Sequence, residues 1–199
     1  MQKLFIALFL LVAPLVKAQK FTALKLNAVV GYATPLDMSA GKGGFVYSVE
    51  PRYHLTHQLA VCLRFEQAYI QRSEILNSNL EYPSQAKLNT SGAIIANYAI
   101  GTKTVQPFIG IGAGLFHVDP STQLLNGPSS SIYRFTLPAA NLIGGIVRIG
   151  VNYSALTAEI AGNIMSDTSI NYVGMNSELI GKNTYLTAKV GYTFGGRQR

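Results

Sequence analysis

The chain has 199 residues, of which 16 are Lys or Arg, 9 are Asp or Glu and one is Cys. Charged residues make up only 13% of it, against about 25% in ordinary soluble domains, while 48% are hydrophobic and the mean hydropathy is positive. This composition excludes disorder, a disulfide framework within the chain and a charged coiled coil. It leaves a very apolar soluble domain or a membrane protein.

Residues 1–18 read as a cleaved secretory signal peptide, with residues 19–199 as one mature domain. Lys3 supplies the positive start, and Val16-Lys17-Ala18 offers a cleavage site. The run from Leu4 to Val16 is 13 residues, short of the ~20 that a spanning helix needs. Loss of Lys3 and Lys17 leaves 181 residues with 14 basic and 9 acidic groups, net +5. The basic residues are scattered along the sequence without interleaved aromatics, so no nucleic-acid partner is expected.

The mature chain contains no apolar run long enough for a membrane helix. It alternates with period two in eight segments. The first, Thr22 to Ala33, puts Leu24, Leu26, Ala28, Val30 and Tyr32 on one face and Lys25, Asn27 and Gly31 on the other. The second, Gly44 to Leu55, opposes Phe45, Tyr47, Val49, Pro51 and Tyr53 to Ser48, Glu50, Arg52 and His54. The third, Leu59 to Ile70, opposes Leu59, Val61, Leu63, Phe65 and Tyr69 to Cys62, Arg64 and Glu66. The fourth, Lys87 to Ile100, carries Ile94, Ala96, Tyr98 and Ile100 on its apolar face. The fifth, Pro107 to His117, sets Ile109, Ile111, Ala113 and Leu115 against Gly110, Gly112 and Gly114. The sixth runs from Ala139 to Val151, the seventh from Ala155 to Met165 and the eighth from Asn183 to Phe194. These place Arg148, Glu159 and Lys189 on their polar faces.

Within the segments nearly every charge lies on one face, and the other face is apolar and ends in Tyr or Phe. That is the dyad pattern of a transmembrane barrel with a lipid side and a lumen side. Closure is required because an open sheet edge in lipid leaves backbone groups unsatisfied. The fold class expected is all-β, an eight-stranded antiparallel up-and-down transmembrane β-barrel. Connections after the second, fourth and sixth segments are short. Those after the others, Pro35–Gly43, Gln71–Gln85, Val118–Ser131 and Ser166–Lys182, are long and rich in Ser, Asn, Gly and Pro. This asymmetry predicts a bacterial outer-membrane location, with long loops outside and both termini in the periplasm. A soluble exported ligand-binding barrel also alternates, but it scatters charge over a solvated face, and here the polar face is thin in charge.

With these residues in view, the sequence resembles the outer membrane protein β-barrel domain family, the OmpA-like small eight-stranded barrels. The resemblance rests on Val30-Gly31-Tyr32-Ala33, on Pro107-Phe108-Ile109-Gly110-Ile111-Gly112-Ala113-Gly114, and on the ending Leu186 to Phe194 followed by Gly195-Gly196-Arg197. It spans the mature chain and leaves no segment for the peptidoglycan-binding domain of larger relatives. It implies that barrel-assembly machinery reads the C-terminal strand, with Phe194 as its late aromatic and Gly195 to Arg199 as a short tail. No cofactor is expected.

The candidate site is a lumen ion-pair network of Glu50, Arg52, Arg64 and Glu66. A turn at Thr56-His57-Gln58 puts Glu50 opposite Arg64, with Arg52 and Glu66 as diagonal neighbours. Lys25, Arg148, Glu159 and Lys189 are further inward candidates. In a narrow interior each charge needs a partner, so the network reads as a plug; the alternative is a gate in a small passive pore. Tyr32, Tyr53, Tyr69, Tyr98, Tyr192 and Phe194 fall near segment ends on the apolar face, where they would meet lipid headgroups. A lipid A-modifying enzyme would need His117 paired with Ser121 or with a residue of Ser129–Ser131, and Asp119 as orienting group. His54 and His57 lack companions at metal-ligand spacing. Gly110, Gly112 and Gly114 thin one face and are no nucleotide motif. The expected role is structural or interaction-based through the loops, whose ligand the sequence does not name.

Overall fold

The computed structural model describes residues 24–37, 41–76, 80–83, 87–101, 104–126, 132–172 and 177–195. The expected signal peptide and the tail beyond Gly195 lie outside them. Eight long strands form the wall: β1 (Leu24–Pro35), β2 (Gly44–His54), β3 (Leu59–Ile70), β6 (Lys87–Ala99), β7 (Val105–Val118), β10 (Ala140–Tyr153), β11 (Leu156–Met165) and β14 (Tyr185–Phe194). They close into one barrel in the order β1-β14-β11-β10-β7-β6-β3-β2, every neighbouring pair antiparallel. The described residues contain no helix. β1 and β14 close the wall with ten register pairs from Leu26–Phe194 to Pro35–Tyr185.

Polarity is inverted relative to a soluble globule. Val30, Val49, Phe65, Ile94, Ile111, Ile143, Ile160 and Val190 stand exposed on the outside, while Glu50, Arg64, Glu66, Arg148, Glu159 and Lys189 are buried inside. Alternation produces both results at once, since successive side chains leave a strand on opposite faces. The short connections sit at one end. At Thr56, the side-chain oxygen accepts from the amides of Gln58 and Leu59 at 3.2 and 2.9 Å, which fixes the β2–β3 turn. Ser154, with φ of 55°, makes the tight β10–β11 turn.

The other end departs from the expectation of plain loops. After β3 the chain forms β4 (Ser73–Leu76) and β5 (Leu80–Pro83); after β7, β8 (Ser121–Asn126) and β9 (Ile132–Leu137); after β11, β12 (Thr168–Tyr172) and β13 (Ser177–Gly181). β13 pairs with β4 through Leu179–Leu76, Ile180–Ile75 and Gly181–Glu74. The two hairpins thus join into a four-stranded sheet, β12-β13-β4-β5, although β14 and β3 are not neighbours in the wall. Leu76 and Leu179 from this sheet pack with Phe135 and Leu137 of β9, and with the half-buried Ile170 and Tyr172. The Tyr172 hydroxyl accepts from the Thr136 amide at 2.5 Å and donates to the Thr136 carbonyl at 2.8 Å. Loop sequences rich in turn formers conceal this second core because its apolar residues come a few at a time from three connections.

Val49 lies mid-strand on the outer wall between Ala28 and Phe65. Replacing it by Arg is expected to destabilise the folded barrel by ~2–4 kcal/mol if it faces mid-bilayer lipid. Urea titration of protein refolded into phosphatidylcholine vesicles measures this, and an unchanged midpoint would contradict the assignment of faces.

Candidate functional site

The register needed for the ion pairs follows from one turn. With Val49 opposite Phe65 and Arg52 opposite Cys62, Glu50 falls against Arg64. Arg64 Nε donates to Glu50 Oε1 at 2.6 Å, and its Nη2 donates to Glu159 Oε1 at 2.6 Å. From the far wall, Arg148 Nη1 donates to Glu50 Oε1 at 2.7 Å and reaches Glu159 Oε2 at 3.1 Å. Arg52 Nη2 donates to Glu50 Oε2 at 3.2 Å. Lys189 binds Glu66 and lies 3.2 Å from Glu159 Oε1. All seven of these side chains are buried, four cationic and three anionic.

All four residues expected in the network are in the lumen, but they do not form a closed set. Arg52 bonds Glu50, whereas Glu66 binds Lys189 and stands 3.6 Å from Arg64. The cluster is completed by Arg148, Glu159 and Lys189 from β10, β11 and β14. Lys25 is different: it is half-buried at the short-turn end, opposite Arg52, and none of the ion pairs among the described residues includes it.

Glycines make room for these long side chains. Arg148 is paired with Gly110, Glu159 with Gly150 and Lys189 with Gly31. A methyl group at Gly110 would stand 2.3 Å from Asn97 Oδ1 and 2.9 Å from Arg148 Cγ. Gly110 therefore stands where Asn97 and Arg148 leave no room for a side chain. Asn97 is engaged on both sides, accepting from Arg148 Nε at 2.9 Å and donating to Cys62 Sγ at 3.1 Å.

Three aromatic lumen residues went unnoticed in the sequence reading. Phe108 lies beneath both Arg148 and Arg52, 5.7 and 5.9 Å from its ring centre to their guanidinium carbons. Tyr185 donates to Glu66 Oε1 at 3.1 Å. Phe116 packs with Ala33, Val46, Ala68, Ile146 and Met165 in an apolar layer on the loop side of the ions. Their only signal was parity, since each shares the face that carries glycines or charges on its own strand.

Above that layer, Arg72 Nη1 donates to Asn183 Oδ1 at 3.0 Å, and its Nε lies 3.4 Å from Glu74 Oε1. Burial lowers the Arg72 pKa from the ordinary arginine value, with the Glu74 carboxylate opposing that shift. At the cap surface Lys182 Nζ donates to Asp167 Oδ2 at 2.6 Å, and that bond raises the Lys182 pKa.

The aromatic residues sit outside in two tiers. Tyr53, Tyr98, Tyr192 and Phe194 stand exposed near the short turns, and Tyr32 and Tyr69 near the loops. Tyr153 joins the first tier and Phe45 the second. His117 is on the outer wall, with Nδ1 2.7 Å from Asn141 Oδ1 and Nε2 3.5 Å from Asp119 Oδ1. Ser121 is buried and its hydroxyl has no partner among the described residues, so the two are not brought together. Residues 129–131 lie outside the described residues. His54 ends β2 and His57 lies within the β2–β3 turn, and the described residues contain no group of three potential metal ligands.

A closed wall with an apolar exterior, aromatic tiers and an ion-paired interior defines the class of small transmembrane-type β-barrels. Among solved structures, Neisserial surface protein A matches with a TM-score of 0.59 at 16% identity, over 89% of this chain and 100% of that one. The outer membrane protein OprG from Pseudomonas aeruginosa matches with a TM-score of 0.52 at 14% identity, over 87% of this chain and 97% of that one. No family model matches the chain, and no curated protein does. The fold is therefore that of the small eight-stranded outer-membrane barrels.

Two substitutions separate the two cores. Glu50→Leu removes the carboxylate that three guanidinium groups share, leaving Arg52 without its ion-pair partner, and is expected to cost ~3–5 kcal/mol, measured by urea unfolding in vesicles. Leu179→Ala should weaken the cap by ~2–5 kcal/mol. Limited proteolysis of refolded protein is expected to cut its loops faster while the barrel keeps its heat-modifiable migration.

Proposed function

We propose that this chain is an integral outer-membrane barrel whose lumen is a static plug and whose capped loops form its interaction surface. The observation that carries this reading is the layered filling of the interior. The ion cluster, the apolar layer around Phe116 and the bridging sheet lie one above another. An eight-stranded barrel has an interior just wide enough to be filled by side chains, and buried charge in that space needs partners. In this reading the short turns and both termini face the periplasm, outer-membrane lipids contact the wall, and barrel-assembly machinery engages β14. Residues 1–18 are removed on export.

Planar-bilayer recording of refolded protein tests the plug. No steady conductance is expected from the native chain. Discrete, long-lived channels whose conductance changes on Arg64→Ala would establish instead a pore gated by the Glu50, Arg52, Arg64 and Glu66 pairs. Cell fractionation tests the location: the protein is expected in the outer-membrane pellet with heat-modifiable migration, and recovery as a soluble periplasmic protein would refute it.

A further inference from the structure

The outward positions of the eight wall strands are almost all apolar, aromatic or glycine. Thr34, Gln67, Thr90, His117 and Asn141 are the hydrogen-bonding exceptions apart from tyrosine. Four of these five are register neighbours. Gln67 of β3 pairs with Thr90 of β6, Thr90 with His117 of β7, and His117 with Asn141 of β10. On the other side Gln67 pairs with Tyr47 of β2. Isolated exceptions in sequence thus become one polar row across five adjacent strands, roughly 19 Å long at ~4.8 Å per strand.

The row is ordered by its own hydrogen bonds. The Tyr47 hydroxyl donates to Gln67 Oε1, Gln67 Nε2 donates to Thr90 Oγ1 at 3.4 Å, and His117 is held by Asn141 and Asp119. Its position is unusual. His117 and Asn141 are one residue from their strand ends, at the loop side of the barrel. Tyr47 and Gln67 have Phe45 and Tyr69 still beyond them, both exposed on the same wall. The row therefore runs from the outer rim into the aromatic and apolar belt. Polar groups there are costly unless something polar meets them. The outward faces of β11 and β14, by contrast, carry no hydrogen-bonding side chain except that of Tyr192 in the tier near the short turns.

We propose that this row is a binding track for an outer-leaflet glycolipid, read through the hydroxyl and amide groups where its sugar joins its acyl chains. Amide, hydroxyl and imidazole side chains both donate and accept, and the row contains no Lys or Arg to make phosphate the recognised group. An amphiphile with a hydroxyl-rich head and a polar junction fits a surface that is polar at the rim and continues polar into the belt. The inference rests on the outer-membrane reading given above.

Native mass spectrometry tests it, with protein refolded in phosphatidylcholine vesicles, extracted in mild detergent and offered equimolar lipid A and phosphatidylglycerol. The native chain is expected to retain lipid A about fivefold or more over phosphatidylglycerol, as a few net hydrogen bonds supply. That preference should persist for dephosphorylated lipid A and at 500 mM NaCl. The Gln67→Leu, Thr90→Val, Asn141→Leu triple variant is expected to lose it, and Thr34→Val, the exception outside the row, to keep it. Should the triple variant not insert, the near-isosteric Thr90→Val alone must weaken retention. Absence of preference in the native chain, its disappearance in high salt, or its survival in the variants would overturn the track. A native chain that shows no heat-modifiable insertion at all would instead refute the membrane reading on which the track depends.

Discussion

The carboxylate of Glu50 is shared by three guanidinium groups, those of Arg52 and Arg64 from its own side of the barrel and Arg148 from the far wall. The interior is organised around that sharing. Arg64 and Arg148 both continue to Glu159, and Glu159 leads to Lys189 and so to Glu66 and Tyr185. Removing one member of such a chain leaves the others charged and dry, which is why a buried ion cluster resists piecemeal change even when it adds little net stability. The wall depends on it in turn. A closed barrel with an apolar coat must turn its polar faces inward, and these faces hold together only if their charges find each other across the lumen.

The eight wall strands were legible because period two, applied over ten or more residues, leaves little ambiguity about faces. The Glu50–Arg64 opposition was legible for a second reason: a short turn sets the register of the two strands it joins. Arg148, Glu159 and Lys189 could be assigned to the interior but not to partners. Their contacts to Glu50, Arg64 and Glu66 cross the lumen between strands that no turn connects, and alternation carries no information about that distance. Phe108, Phe116 and Tyr185 were overlooked because an aromatic side chain on the polar face looks like an interruption of the pattern. Inside a barrel it is filler, beside the charges for Phe108 and Tyr185 and in the apolar layer above them for Phe116.

The outer end was the least legible part. Strands of four to six residues are too short for periodicity to mark, and the residues that unite them, Leu76, Leu137 and Leu179, come from three separate connections. The polar row on the outer wall escaped for a related reason. Gln67, Thr90, His117 and Asn141 each appear as a single blemish on an otherwise apolar face. Only the register of five strands together turns four blemishes into a feature.

The bridging sheet also has a temporal meaning. Arg72 and Asn183, which bond beneath it, are 111 residues apart in sequence. The β4–β5 and β12–β13 hairpins are each local and can form with the strands they extend. Their union through β4 and β13 requires both flanks of the barrel to be present at the correct separation, so closing that long loop is rewarded only once the wall has brought them together. The cap is thus a late product of assembly. A molecule that presents it has already closed its seam between β1 and β14, so the capped surface marks a finished barrel.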